Sequence, residues 1–390
     1  MSSKTENYKL TFIDPGQADA VNTALLDWFA GEKRDLPFRK QHDPYKIWIS
    51  EIMAQQTRME TLIPYYQRFV SAFPDVQSLA QAAEDDVLKA WEGLGYYSRA
   101  RNLQKAAREI AALGAFPAHY TDLVKLPGIG PYTAGAIASI AFNEKVPAVD
   151  GNVLRVMSRI YGSERDIADL KTRKLLTEEL SETMPDQAAD YNESLMELGA
   201  LVCIPKSPKC MICPVQAYCT AFESGRTAVL PVKAPKKKPR IIRQQAFIIE
   251  SGGGTAGIKA EPHIMLEKRP ADVLLSGLYG LPLVADDDPD REKQIQSLTK
   301  GQAVTVLGNS RHVFTHIIWE TQVCLVRPEP DDPAVSKQQV AENNQETAYT
   351  AGNSASSEQP ENDRFEAAVN ALDEVALPTA FKKMLGLYLK

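Results

Sequence analysis

Four of the five cysteines fall in the pattern Cys203-x6-Cys210-x2-Cys213-x5-Cys219. Soft thiolates packed this closely suit either a tetrahedral zinc ion or an iron–sulfur cluster. Zinc ribbons use two close pairs and this segment has one, so the spacing leans toward iron–sulfur without deciding it. Buried structural thiols are the remaining alternative. The fifth cysteine, Cys324, stands alone, and an odd count with tight clustering argues against a secreted disulfide framework.

A second reactive pattern lies upstream. Lys125-Leu-Pro-Gly-Ile-Gly130 runs into Pro131 and an apolar helical stretch. Gly128 and Gly130 let backbone amides approach a ligand, and Pro131 suits a first helical turn. Amides at a helix start can hold an anion such as a DNA phosphate, although a plain tight turn between helices would read the same way. Nineteen residues past Pro131 comes Asp150, in Val146-Pro-Ala-Val-Asp-Gly-Asn-Val-Leu-Arg155. Its place just before a helix fits an N-cap as well as a reactive acid.

The elements that must position these groups are mostly helical. Leu25/Trp28/Phe29, Tyr45/Trp48/Ile52, Leu103/Ala106/Ala107/Ile110 and Val153/Val156/Met157/Ile160 all recur at helical spacing. A helical domain is expected over about 17–225, followed by a basic, Pro-containing linker at 226–243. The β-rich runs QQAFIIE, PHIMLEK, AVTVL and HIIWETQVCLV then predict a smaller α/β domain over 244–390. Within it, residues 328–363 are rich in Gln, Asn, Glu and Ser and are expected to be a disordered insertion.

Charge by itself excludes little. The net charge is −6, but Glu329–Glu366 holds nine acids and two bases, a local −7, which leaves +1 for the rest. Any attraction to nucleic acid must therefore be local. No apolar run is long enough for a bilayer and the first residues lack a signal-peptide pattern, so a cytoplasmic protein is expected.

The hairpin, the Pro-x-x-Asp interval and the four cysteines, in that order, resemble the helix–hairpin–helix glycosylases of the endonuclease III superfamily. Several further segments narrow the likeness to MutY-type adenine DNA glycosylases. Arg34-Asp-Leu-Pro-Phe-Arg39 is similar to the family's adenine-pocket loop, with Phe38 where tryptophan is more usual. Asp43 to Thr57 is similar to the helix that carries the general acid, here Glu51, and ends in Gln55–Gln56, matching residues that reach into the duplex. Gly93 to Asn102 supplies Tyr96 as a wedge, and Glu193 matches a residue that contacts the flipped adenine. In the second half, Phe314-Thr-His316 resembles the loop that reads 8-oxoguanine, and Leu274 to Pro282 resembles the opening of a Nudix-like domain. That domain lacks a Gly-x5-Glu-x7-Arg-Glu-x2-Glu-Glu box, so no pyrophosphatase site is expected.

The resemblance implies a mainly α, helix–hairpin–helix domain with a [4Fe–4S] cluster on Cys203, Cys210, Cys213 and Cys219, plus a Nudix-like α/β domain. It implies Glu51 and Asp150 as catalytic carboxylates with Tyr132 and Asn152 beside them. Arg34, Leu36, Phe38, Arg39, Trp48 and Glu193 would form the adenine pocket. Gln55, Gln56, Tyr96, Lys125, Gly128 and Gly130 would contact DNA, with Lys206 and Lys209 in the cluster loop. Phe314, Thr315 and His316 would read the opposite base. The implied partner is duplex DNA carrying adenine opposite 8-oxoguanine or guanine, bound by a monomer. Bifunctional relatives carry a lysine where Tyr132 stands, so the implied enzyme is monofunctional. Taken without the resemblance, Tyr45, Trp48 and Ile52 read as core, Gln55, Gln56 and Glu193 as solvated surface, and Tyr132 as a structural residue at a helix start. Phe314–His316 would then be a strand edge. An endonuclease III-like lyase, a non-catalytic damage sensor and a Nudix hydrolase are the competing assignments.

Overall fold

Helix starts in the first half are set by aspartate followed by proline. Asp14 before Pro15 and Asp43 before Pro44 each accept first-turn amide bonds, satisfying donors that a helix start leaves open. In the computed structural model, which describes residues 12–40, 42–235, 238–251, 262–270, 273–327 and 364–389, these begin α1 (Pro15–Glu32) and α2 (Pro44–Ala54). There follow α3 (Met59–Ala72), α4 (Val76–Gln81), α5 (Glu84–Ala90), α6 (Ser98–Leu113), α7 (Tyr120–Leu123) and α8 (Pro131–Phe142). Beyond them lie α9 (Gly151–Ile160), α10 (Leu170–Thr183), α11 (Ala188–Leu201) and α12 (Thr220–Glu223). Two compact units result: Met1–Leu94 with Ser98–Lys236, and Lys237–Lys390 with Gly95–Tyr97.

The first unit is helical, as the periodicity predicts. Val153, Val156, Met157 and Ile160 of α9 share one core with Leu25 of α1, Leu176 and Leu180 of α10, and Leu195 and Leu198 of α11. Each such buried side chain contributes roughly 1.5–3 kcal/mol. In the other group of helices, Trp48, Ile49 and Met53 of α2 and Leu103, Ala106, Ala107 and Ile110 of α6 are buried.

The second unit is a mixed sheet with a helix on each face. Its strands are β1 (Arg240–Ser251), β2 (His263–Lys268), β3 (Tyr279–Gly280), β4 (Leu283–Ala285), β5 (Val304–Val313), β6 (Ile317–Val326) and β7 (Arg364–Ala368). The order is β3-β2-β1-β6-β5, with β4 on β1 and β7 on β2. β1 and β6 run parallel from Arg240↔Ile317 to Ile249↔Val326, while the other pairs are antiparallel. Alternation along β1 divides the core. Ala246 and Ile248 pack with Phe381, Met384 and Leu385 of α14 (Thr379–Tyr388), and Phe247 and Ile249 pack toward Ile295 and Leu298 of α13 (Arg291–Thr299). The four β-rich runs in the sequence are β1, β2, β5 and β6. The short β3, β4 and β7 carry no such signal.

The linker differs from expectation. Residues 226–235 are not a free tether: Leu230 is buried, Arg159 Nε donates to Leu230 O at 2.8 Å, and Ile167 N donates to Val232 O at 3.0 Å. Strand β1 already starts at Arg240. The basic composition hid apolar Leu230, whose carbonyl and side chain are both used by the first unit. The expected insertion at 328–363 lies outside the described residues.

Candidate active site

Helix α2 presents Ile47, Ser50, Glu51 and Ala54 along one stripe, at i, i+3, i+4 and i+7, to a cavity of about 660 Å³. The loop Arg34–Arg39, Tyr132 of α8, Asp150–Asn152 at the start of α9, Arg173 of α10 and Glu193, Met196 and Glu197 of α11 complete its lining. Segments more than a hundred residues apart thus meet in one pocket of a size typical for small-molecule sites.

Glu51 is the centre of the arrangement. Burial pushes its carboxyl up to about 7, and the nearby Glu193 and Asp150 add to the rise, whereas the Tyr132 hydroxyl, donating to Glu51 Oε2 at 2.7 Å, opposes it. Tyr132 also lies 3.7 Å from the Met196 sulfur. Asp150 is both N-cap and pocket acid. Its Oδ1 accepts from Asn152 N and Val153 N, and its Oδ2 accepts from Asn152 Nδ2, all at 2.8 Å. Burial raises the Asp150 pKa, while those donors and Arg155 hold it back. Asn152 is fixed in turn by Arg155 Nη2 at 3.0 Å. Cap and acid were alternatives in the sequence, and the geometry makes them one device: capping aims the carboxylate into the pocket.

At the opposite wall, Arg39 Nε donates to Glu193 Oε1 at 2.8 Å and Arg39 Nη2 to Glu197 Oε2 at 2.9 Å. Arg34 grips Glu197 with Nε and Nη2, at 2.7 and 2.8 Å. Although burial works against it, these bonds hold the Glu197 carboxyl down at about 2. Burial raises Glu193 instead, with Arg39 opposing. Leu36 and Phe38 line the same wall, and Phe38 meets Tyr66 edge to face at 5.5 Å.

Trp48 does not join them. It is fully buried on the other side of α2, packed against Tyr45 and Phe116. A residue three positions before Glu51 could share its face, but the pocket stripe runs through 47, 50, 51 and 54, and Trp48 is turned about 100° from Ile47. Its placement in the adenine pocket is therefore corrected to core.

Several residues expected at DNA sit in turns. Gln55 caps the C-terminal end of α2 and donates to Thr133 Oγ1 at 3.3 Å. Gln56 (φ 59°) and Tyr96 (φ 49°) both hold left-handed backbones, an uncommon state for non-glycine residues that often marks functional turns. Gly128 has φ 75°, and a Cβ there would lie 2.7 Å from Asn102 Cβ, so glycine is required. Gly130 is the N-cap of α8 with no side-chain cap bond, leaving first-turn amides open to a ligand. Lys125 is exposed and paired with Asp122 at 2.9 Å. In the second unit Phe314, Thr315 and His316 are the connection between β5 and β6. Phe314 is anchored on His312 and Trp319 at 4.5 and 5.0 Å, while Thr315 and His316 are exposed.

The four cysteines lie apart from the pocket around a small apolar cavity with Val156, Ile160, Leu198 and Val202. Among the described residues no three His, Cys, Asp or Glu side chains converge tightly enough for one metal ion. Burial pushes Cys213 up to about 12, and the other three thiols add to the rise. Four thiolates can coexist there only with compensating positive charge, which a cluster supplies. Arg159 Nη1 donates to Cys203 Sγ at 3.4 Å, and Arg155 Nε to Cys203 O at 2.8 Å. The residue set fits a [4Fe–4S] cluster.

Three family matches tile the chain: the superfamily of base excision DNA repair proteins that shares the helix–hairpin–helix domain at 49–182, the iron-sulfur binding domain of endonuclease III at 203–219, and a NUDIX domain at 255–387. The adenine DNA glycosylase of Rattus norvegicus is 34% identical over 383 residues, covering 83% of this chain and 73% of its own. The chain belongs to the adenine DNA glycosylase family. It is an N-glycosylase of base excision repair acting on DNA, with a [4Fe–4S] cluster on Cys203, Cys210, Cys213 and Cys219. The adenine DNA glycosylase of Buchnera aphidicola subsp. Schizaphis graminum is 37% identical over 262 residues, covering 66% of this chain and 73% of its own. Among solved structures, a thermostable thymine-DNA glycosylase matches 54% of this chain and 98% of its own, at 26% identity and a TM-score of 0.49.

Sequence reasoning missed Glu197, Arg173 and Arg99. Glu197 lies one helical turn beyond Glu193, so the i,i+4 rule could have found it. Arg99 donates to Ile52 O and Gln55 O at 2.7 and 2.8 Å, bracing the end of α2. No local signal marks that role or the pocket position of Arg173.

Proposed function

We propose that this glycosylase removes adenine paired with 8-oxoguanine or guanine, is monofunctional, leaves an abasic site and works as a monomer. The observation that carries this reading is the set of reactive groups in the pocket: Glu51 bonded to Tyr132, Asp150 held by Asn152, and no lysine among the lining residues. Strand cleavage through a Schiff base needs an amine, which the Tyr132 phenol does not supply.

Adenine is stacked in the duplex and must be extruded, at an unstacking cost of roughly a few kcal/mol. Gln56 and Tyr96, on exposed left-handed turns, fill and wedge the vacated stack. Arg39, fixed by Glu193 and Glu197, and the neighbouring Arg34 border the base with a donor and acceptor edge. Glu51, about half protonated near neutral pH, delivers its proton to adenine N7 as the glycosidic bond breaks. Positive charge develops on the deoxyribose, and the Asp150 carboxylate stabilises it or bonds to it. Tyr132, bonded to Glu51, acts on the acid: it steadies the carboxylate left after proton transfer. That carboxylate then activates the attacking water.

Adenine is a normal base, so selectivity must come from the opposite strand. Thr315, exposed between β5 and β6, offers a hydroxyl acceptor for the N7–H that 8-oxoguanine has and guanine lacks. A cytoplasmic setting is in keeping with a thiolate-held cluster.

The test is single-turnover adenine release from duplexes with adenine opposite 8-oxoguanine, guanine or thymine. The expected result is fast release opposite 8-oxoguanine, slower opposite guanine and none opposite thymine, with strand breakage only after alkali. Direct strand cleavage, or equal rates on all three duplexes, would overturn the proposal.

A further inference from the structure

Three arginines line the pocket, and their electrostatic situations differ. Arg34 and Arg39 are neutralised by Glu197 and Glu193. Arg173, partly exposed on α10, forms no ion pair among the described residues; the one hydrogen bond of its side chain there is Nη1 to Val149 O, at 3.0 Å. That carbonyl belongs to the residue directly before Asp150. The guanidinium is thus anchored to the backbone one residue before the reacting carboxylate, with its other donors uncommitted among the described residues.

A cation there opposes an oxocarbenium-like sugar, so it is badly placed to help bond cleavage by itself. It is well placed to meet an anion that arrives with the substrate. Gly151, next to Asp150 on the same wall, supplies the room. A Cβ there would meet nothing within 4 Å, so the packing of the protein does not explain the missing side chain.

We propose that Arg173, beside the open surface at Gly151, is the seat of one phosphodiester flanking the extruded nucleotide, and so sets the depth to which the sugar enters the pocket. Seating that phosphate also offsets the Arg173 charge near the sugar at the moment positive charge develops.

The experiment measures binding of the full-length, cluster-loaded protein to a duplex whose target is a 2′-fluorinated deoxyadenosine, which resists cleavage. Arg173→Ala should weaken binding about tenfold, and the slope of log affinity against log salt should fall by about 0.9, the share of one phosphate. Replacing the 5′ or the 3′ flanking phosphate by an uncharged methylphosphonate should weaken the wild type comparably at one of the two positions. At that position the Arg173→Ala protein should lose nothing more. Arg173→Lys should retain the wild-type salt slope, and Gly151→Ala should bind more weakly without a lower melting temperature. If the Arg173→Ala and methylphosphonate losses multiply at both positions, Arg173 merely braces Val149 and the proposal fails. Wild-type binding by Gly151→Ala would remove the steric half of it. These readouts are affinities, so they stand apart from whether 8-oxoguanine is the preferred opposite base.

Discussion

If Glu51 is the proton donor, its titration should govern the alkaline side of the rate profile, and Tyr132 should set where that side falls. A carboxyl at its ordinary value of 4.5 would be about 0.3% protonated at pH 7, whereas Glu51, raised to about 7, is about half protonated. Burial therefore increases the available acid by roughly two orders of magnitude. Single-turnover adenine release at saturating enzyme should accordingly be high at pH 6 and fall tenfold per unit above about pH 7. The Tyr132 hydroxyl donates to Glu51 Oε2 and favours the ionised form. Hydrogen bonds to charged groups contribute about 1.5–3 kcal/mol, and one pKa unit is about 1.4 kcal/mol. Tyr132→Phe should therefore raise the Glu51 pKa by about one to two units and move the falling limb to higher pH. A flat wild-type profile between pH 6 and 9, or a limb that moves to lower pH in Tyr132→Phe, would refute the reasoning.

Glu51→Gln should abolish base removal yet melt higher than the wild type at alkaline pH. The folded-state pKa of Glu51 lies above its unfolded value, so its stability cost grows as pH rises from about 4.5 through about 7, reaching roughly 3 kcal/mol; the melting gap should close toward pH 5. Glu197→Gln leaves Arg34 and Arg39 without their shared anion and should destabilise the first unit by roughly 3 kcal/mol, with weaker discrimination between adenine and other bases in competition binding. Thr315→Ala should reduce the rate preference for 8-oxoguanine over guanine by about two- to tenfold, the value of one neutral hydrogen bond, and an unchanged ratio would remove Thr315 from lesion reading.

Features that depend on neighbours along the chain are legible in the residues alone. The cysteine spacing, the Gly128–Pro131 turn and the Asp150 cap are encoded within a few residues, because capping, turn geometry and ligand spacing are short-range effects. The helical repeats of α2, α6 and α9 and the strands β1, β2, β5 and β6 were legible for the same reason. The choice between zinc and a larger cluster was not, since both metals accept four close thiolates; the likeness of residues 203–219 to the iron-sulfur binding domain of endonuclease III decides it. Helix α2 marks the boundary most clearly: its periodicity announced an amphipathic helix, but only packing decided that Ile47, Ser50, Glu51 and Ala54 face the cavity while Trp48 faces the core. The Glu51 shift, the Arg39 bridge to Glu193 and Glu197, and the anchoring of the Arg173 guanidinium on Val149 O likewise belong to the tertiary structure. Burial and charge proximity act through space, and these partners lie far apart in the chain, as with Glu51 and Tyr132 or Arg39 and Glu197.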